Sequence, residues 1–219
     1  MRTLSLGLSA SGGACAVAVR SRDGVVHAGP VPAAARGDDL AADVDAAFRD
    51  LGEEPAALGE LRLDLGPGSY TGLRIAVTFA RALHTFLEIP VLTVTSPQLM
   101  ALNAWQQGAA AASQRLRPVL DARRNRFHHA LVEFDGARLV EPPRAVERDE
   151  LLGSIQPKEV LLAERALHPL LQEAAERLGA SILEPIPFGA DLLFHEQLQL
   201  APRTGAQLEP LYLMGSYAQ

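Results

Sequence analysis

Aromatic residues make up only 5% of this 219-residue chain, with Trp 1, Tyr 3 and Phe 7, too few for the stacking platforms on which single-stranded nucleic acid is held. Cysteine occurs once, as Cys15, so no internal disulfide can form and no zinc spacing exists; a reducing compartment fits that usage. No apolar run approaches the 18 or more residues of a membrane span. The opening MRTLSLGLSASGGACAVAV carries one Arg and an interrupted apolar stretch that reads as strands, not as a secretion signal. Positive charge is also in short supply. Lys+Arg 20 against Asp+Glu 26 leaves a net charge of −6, which removes the counterion-release term that anchors proteins on nucleic acid. The expectation is a cytoplasmic protein without a membrane anchor, one that meets RNA mainly through something else.

What is present is ordinary globular composition, 48% apolar and 21% charged, on a chain long enough to bury roughly 70% of its unfolded surface. Residues 3–8, 14–20 and 24–28 are short, partly β-branched runs separated by Gly-rich and Asp-Gly spacers, which predicts three antiparallel strands. In LAADVDAAFRDLG, Leu40, Val44, Phe48 and Leu51 recur at helical spacing, with acids early and Gly52 at the C-cap, predicting a helix over about 38–51. Residues 61–65 alternate as a strand and run into Gly66-Pro67-Gly68-Ser69-Tyr70-Thr71-Gly72. A helix follows to Pro90, then a β-branched strand over 91–95, then Ser96-Pro97 as N-cap and first helical position. The first hundred residues thus read βββαβαβα.

Small residues at 108–113 mark a boundary, giving domains 1–107 and 108–219, with the C-terminal tail able to pack back on the first. Beyond it, 117–121 and 127–134 pair as a hairpin and a short strand follows at 138–140. A βαβ element comes from 160–163, a helix over 169–178 and a strand at 181–183. A last helix is expected over 191–200.

The glycine-rich segment carries the chemistry question. Its glycines can take positive φ and Ser69 or Thr71 can cap the helix, leaving backbone N–H groups aimed outward, where an anion could sit. The spacing misses G-x-G-x-x-G by one residue, and no Lys follows to make a phosphate loop of the nucleotide-hydrolase kind. A structural turn and a phosphate cradle both remain open. On the helix after it, Leu73, Ala76, Phe79, Ala80, Leu83 and Leu87 face the sheet. Arg74, Thr78, Arg81 and Thr85, at i, i+4, i+7 and i+11, share another side, either solvated or able to dock another helix. Arg123, Arg124 and Arg126 form the one concentrated basic cluster, a candidate anion contact or a solvated hairpin tip. His128 and His129, adjacent on a strand, point to opposite faces and cannot ligate together. No metal site, no nucleophile elbow and no catalytic residue is assigned. Cys15 reads as a small buried hydrophobe.

GPGSYTGLRIAVTFARAL closely resembles the glycine-loop signature of the TsaB (YeaZ) family, bacterial proteins that help make the threonylcarbamoyl modification of adenosine 37 in tRNA. LSLGLSASGGACAVAV, the strand at 90–95 with Ser96, VLDARRNRFHHALVEFDG and Pro210-Leu211-Tyr212-Leu213 extend the resemblance. It implies an α/β fold of the actin, sugar-kinase and Hsp70 ATPase kind, two βββαβαβα-related subdomains with the second smaller and degenerate. It also implies a non-catalytic subunit that forms a heterodimer with its paralogue TsaD, the metal-bearing transferase. The ATPase TsaE joins this pair, and tRNA is met only through the complex. No cofactor of its own is implied, though nucleotide at the subunit boundary stays open, as does a homodimer when the partner is missing.

In this reading Arg74, Thr78, Arg81 and Thr85, with Leu40 and Val44 from the preceding helix, form the partner interface. Departures stand beside it. Where the family usually reads Asp-Thr-Ser after the first strand, this chain reads Gly7-Leu8-Ser9. Arg36-Gly37-Asp38-Asp39 replaces Arg-x-His-Ser, and Met214 replaces the Arg after Tyr-Leu. The alternative function is a small ATP-dependent kinase or hydrolase of the same fold that uses the glycine loop on phosphate.

Overall fold

In the computed structural model, which describes residues 4–12, 15–24, 26–28 and 40–213, two compact units group the chain: Met1–Ser96 with Gly189–Leu211, and Pro97–Phe188 with the residues from Tyr212 on. The sequence-based boundary at 107/108 falls inside the second unit, after its first helix. Arg36, Gly37, Asp38, Asp39 and Met214 lie outside the described residues.

In the first unit, period-two alternation sends one set of side chains to each face of the sheet. Leu4, Leu6 and Leu8 of β1 (Leu4–Ser9), Val17 and Val19 of β2 (Ala16–Arg20), and Leu61 and Leu63 of β4 (Leu58–Asp64) are buried in one core with Leu40, Val44, Ala47 and Phe48 of α1 (Leu40–Asp50). Ala76, Val77 and Ala80 of α2 (Tyr70–Leu87) complete it, with Phe79, Leu83 and Leu87 packed at its margin. β1 pairs antiparallel with β2, and β2 with β3 (Val26–Ala28). β1 and β4, and β4 and β5 (Val91–Val94), are parallel.

The other face of β1 carries only Ser5, Gly7 and Ser9, small enough for a 3-10 helix, Ala190–Phe194, to lie against it. The helix expected over 191–200 is reduced to that single turn. Leu192, Leu193 and Phe194 are adjacent and all buried, a pattern that a 3.6-residue period cannot bury on one stripe. The chain then adds β11 (Ala201–Arg203) antiparallel to β5, at the sheet edge, where Pro202 is tolerated.

The second unit repeats the order. β6 (Leu116–Asp121) pairs antiparallel with β7 (Arg126–Glu133), β7 with β8 (Arg138–Glu147), while β6, β9 (Val160–Ala163) and β10 (Ser181–Leu183) run parallel. The strand expected at 138–140 extends to Glu147 through Pro142-Pro143, because β8 is an edge strand and loses little ladder bonding to proline. α3 (Ser96–Gln106) brings Trp105 edge-on to Phe134, centroids 5.4 Å apart. α4 (Arg148–Ser154), not anticipated from sequence, and α5 (His168–Leu178) cover the sheet with Leu151, Leu171, Ala174 and Ala175. Gly179 ends α5 in the left-handed conformation, φ 64°. The two units thus share a five-strand order, 3-2-1-4-5, the arrangement expected of an actin and sugar-kinase type fold, with β11 added as a sixth strand at the edge of the first sheet.

Candidate functional site

The segment after β4 is fixed by close approach. Gly66 has φ 96°, which favours glycine, and its peptide to Pro67 is cis. A Cβ on Gly66 would lie 2.6 Å from Leu73 Cδ1, one on Gly68 2.7 Å from Ser11 Cα, and one on Gly72 2.5 Å from the Ala10 carbonyl. The loop after β1 therefore fills the space beside the glycines. The Ser69 N–H donates to the Ser11 carbonyl at 2.8 Å, and the Gly72 N–H donates to Ser69 Oγ at 3.3 Å, capping α2. These two amides are thus taken up by the neighbouring loop and by the helix cap.

Behind the turn sits a residue that the sequence reading passed over. Asp64, the last residue of β4, is fully buried. Its carboxylate accepts from Ser9 Oγ at 2.9 Å, Ser96 Oγ at 2.8 Å and the Gly66 N–H at 2.9 Å, and also from the Ser11 side chain. The Ser96 N–H closes the knot on the Gly66 carbonyl at 2.9 Å. Burial raises the Asp64 pKa, outweighing the four hydrogen bonds that favour the carboxylate. One signal was readable: Asp two residues before Gly, with its side chain taking the Gly amide, is an Asx-type turn.

The knot holds the base of α2, whose outward face is open. Arg74, Thr78, Arg81 and Thr85 are all exposed, as are Tyr70, Ala82 and Phe86. Arg74 donates to the Tyr70 hydroxyl at 2.8 Å and lies 5.3 Å from that ring's centre. Leu40 and Val44 are different. At 3% and 6% exposure they point into the first core, because the apolar stripe of α1 that they belong to is the one packed on the sheet; they support the helix and offer no surface. The outer side of α1 is Ala41, Ala42, Asp45, Ala46 and Arg49, with Arg49 and Asp45 paired at 3.0 Å.

Gly7 occupies the sheet face opposite the helices. A Cβ there would meet the Ala190 carbonyl at 3.1 Å, Leu193 Cδ1 at 3.2 Å and Phe194 Cε2 at 3.2 Å. Arg62 fastens this 3-10 roof by donating to the Leu193 carbonyl at 3.0 Å, and the Arg20 and Arg62 guanidiniums flank the Phe194 ring at 5.0 and 5.2 Å. Burial raises the pKa of the Cys15 thiol, assisted by Asp43, so it stays protonated.

In the second unit the basic cluster does not converge. Arg123 and Arg124 are exposed at a tip whose residues 123–125 have φ of 68°, 52° and 58°, and Arg126 turns to donate to the Ala145 carbonyl at 3.2 Å. His128 and His129 do diverge. His129 is buried against Arg117, whose guanidinium is fully enclosed and grips Glu159 through Nε and NH2 at 2.8 and 3.0 Å and Glu141 at 2.9 Å. Arg117 NH1 lies 2.8 Å from His129 Nδ1, and Arg144 Nε 3.1 Å from Nε2. A neutral imidazole has one acceptor nitrogen, so only one of these arginines is satisfied at the ring. Burial first, then the two arginines, lower the His129 pKa to about 4. Among the described residues, no group of three or more His, Cys, Asp or Glu stands close enough to hold a metal ion, and no helix is long and apolar enough to cross a membrane.

Residues 34–182 match the family described as TsaD: tRNA N6-adenosine threonylcarbamoyltransferase. Over 118 residues the chain is 30% identical to the tRNA threonylcarbamoyladenosine biosynthesis protein TsaB of Bacillus subtilis, covering 53% of this chain and 49% of that one. Over 70 residues it is 34% identical to the Escherichia coli protein of the same name, covering 32% and 29%. The chain thus spans about half the length of the first of these relatives and less of the second. YeaZ from Pseudomonas aeruginosa has the same fold, with TM-score 0.74 at 20% identity over 96% of this chain and 100% of that one. A second P. aeruginosa structure, described as similar to peptidase YEAZ, gives 0.76 at 20% identity over 97% and 100%.

Proposed function

We propose, for a chain that belongs to the tRNA N6-adenosine threonylcarbamoyltransferase (TsaD) family and stands among its TsaB (YeaZ) members, a role as a non-catalytic subunit in making threonylcarbamoyladenosine at position 37 of tRNA. It works in the cytoplasm by pairing with a catalytic TsaD paralogue and presenting that pair to the ATPase TsaE, and it meets tRNA only within the assembly. Arg74, Thr78, Arg81 and Thr85 on the open side of α2 form its docking face.

The observation that supports this reading is the contrast between the two sides of the first unit. Where catalytic relatives carry an acid near Mg²⁺ and phosphate, this chain has Gly7, roofed at van der Waals distance by Ala190–Phe194. An acid side chain at that position meets the Ala190 carbonyl and the Leu193 and Phe194 side chains, which have to give way to it. The side facing away, along α2, carries exposed cationic, hydroxyl and small residues on a helix fixed by the Asp64 knot. The rival, an ATP-dependent enzyme using Gly66 to Gly72, has to compete with Ser11 for the Ser69 amide.

Calorimetric titration with a cognate TsaD tests the proposal. The wild type forms a stoichiometric complex, and reversing Arg74 and Arg81 to Glu weakens it by about tenfold or more, with the difference shrinking in high salt. Mg·ATP added to the isolated chain gives no turnover. Turnover by the isolated chain, or absence of a complex at low salt, overturns the reading.

A further inference from the structure

We propose that Tyr70 belongs to the docking face and acts there as a positioning residue, holding Arg74 so that its free edge takes a carboxylate of the TsaD partner. This rests on the docking role proposed above and names the chemistry of the group that the face meets. With successive residues about 100° apart, Tyr70, Arg74, Thr78, Arg81 and Thr85 fall within about 80° of the surface of α2. Tyr70 therefore extends the exposed line by one turn toward the start of the helix.

The two side chains are joined. Arg74 NH1 donates to the Tyr70 hydroxyl at 2.8 Å, and its guanidinium carbon lies 5.3 Å from the ring centre, at the i, i+4 spacing that brings side chains together on a helix. A guanidinium has five N–H donors in a planar fork. The bond through NH1 leaves the Nε and NH2 donors, the edge that a carboxylate takes with two parallel bonds, and among the described residues no Asp or Glu pairs with it. Tyr70 itself stands on a fixed backbone, because the Ser69 N–H donates to the Ser11 carbonyl at 2.8 Å and the Gly72 N–H to Ser69 Oγ at 3.3 Å. An exposed arginine loses rotamer freedom when an interface fixes it; one already held by a hydroxyl on a capped helix start loses less.

Charge selects the occupant. Arg74 and Arg81 lie on this line, and no Asp or Glu occurs along α2 before the C-cap residue Glu88. A second copy pairing through the same helix would set arginines against arginines. A chain of net charge −6 with 5% aromatic residues has neither the charge nor the stacking surface for RNA. A sister subunit that offers Asp or Glu opposite Arg74 satisfies the free edge.

The test uses the full chain and a cognate TsaD, with dissociation constants and thermal melts for wild type, Tyr70→Phe, Arg74→Ala and the double variant. Tyr70→Phe, which removes only the hydroxyl, is expected to weaken the complex about fivefold and Arg74→Ala about tenfold. The double variant should bind no more weakly than Arg74→Ala alone, and the four melts should coincide because both side chains are exposed. A Tyr70→Phe loss that multiplies in full onto Arg74→Ala means that Tyr70 meets the partner itself, and overturns the positioning role. Tyr70→Phe binding within about twofold of a wild type that does bind, or a Tyr70→Phe melt that falls along with its affinity, overturns that role as well. A wild type that binds no TsaD overturns the docking role and the positioning role with it. Self-association of the chain alone, or binding of tRNA by the chain alone, that disappears in Arg74→Ala overturns the choice of occupant.

Discussion

The first unit ends β4 on a buried acid, Asp64, ringed by hydroxyl and amide donors; the second, on a sheet with the shared five-strand order, buries a base, Arg117, ringed by Glu159 and Glu141. Both satisfy a charge that burial would otherwise make costly. They tie together different things. Asp64 links the end of β1, the glycine turn that leads into α2, and Ser96, so its knot holds the segment from which the exposed helix α2 starts. Arg117 links β6 to β8 and to the residue before β9, so its bonds stay within one sheet and stiffen it.

The comparison breaks most readily in the second unit. Glu159→Ala removes the bidentate partner of an enclosed guanidinium and is expected to cost about 3–5 kcal/mol. Trp105 is the only tryptophan and belongs to this unit, so its fluorescence in denaturant measures the loss. A variant that melts like wild type means that Arg117 is not held as described.

Acidity should act on the two units with opposite sign. The His129 pKa is lowered to about 4, so between there and its unfolded value near 6.5 the folded state binds fewer protons. Its contribution is full above about pH 6.5 and is lost as pH falls to about 4, roughly 3 kcal/mol in all. Glu141, lowered chiefly by its hydrogen bond from Arg117, adds a loss in the same direction as pH falls below its unfolded range. Asp64 is raised, so its contribution is full below its unfolded pKa near 3.8 and is lost as pH rises through the folded value. Trp105 fluorescence should show the second unit weakening from pH 7 to 4. Flat stability of that unit across this range contradicts the placement of His129.

Within the first unit, Gly68→Ala drives a Cβ into the Ser11 backbone and is expected to cost about 2 kcal/mol. Gly12→Ala, with nothing within 4 Å, should be nearly neutral, and equal melts for the two would refute the close-packed turn. Asp64→Asn keeps an acceptor for the Gly66 amide and loses one oxygen. It should cost about 1 kcal/mol near pH 4 and less at pH 8, where the ionised carboxylate it replaces is itself disfavoured; hydrogen exchange of the Gly66 and Ser96 amides reads the difference.

Much of the fold was legible because it rests on short-range periodicity. Leu4, Leu6 and Leu8 alternate, Leu73, Ala76 and Ala80 recur on a helical stripe, and Asp-Gly and Gly-rich spacers set the hairpins. The exposed line Arg74, Thr78, Arg81 and Thr85 came out of the same spacing. What stayed hidden depends on partners far along the chain. Arg117 meets carboxylates 24 and 42 residues away, and an Arg in a strand ordinarily signals an exposed face. Leu40 and Val44 show the limit of reading one helix alone, since an apolar stripe is the same pattern whether it packs on its own sheet or on a partner. Gly7 was legible as a missing acid, but only the return of residues 190–194 to β1 shows that its place is filled.

Hydrogen–deuterium exchange of the chain with and without a cognate TsaD tests the central claim most directly. The account predicts that added protection concentrates on α2, from Tyr70 to Glu88, while β6 to β10 of the second unit exchange as they do alone. Protection confined to the second unit, with α2 unchanged in a formed complex, would contradict it.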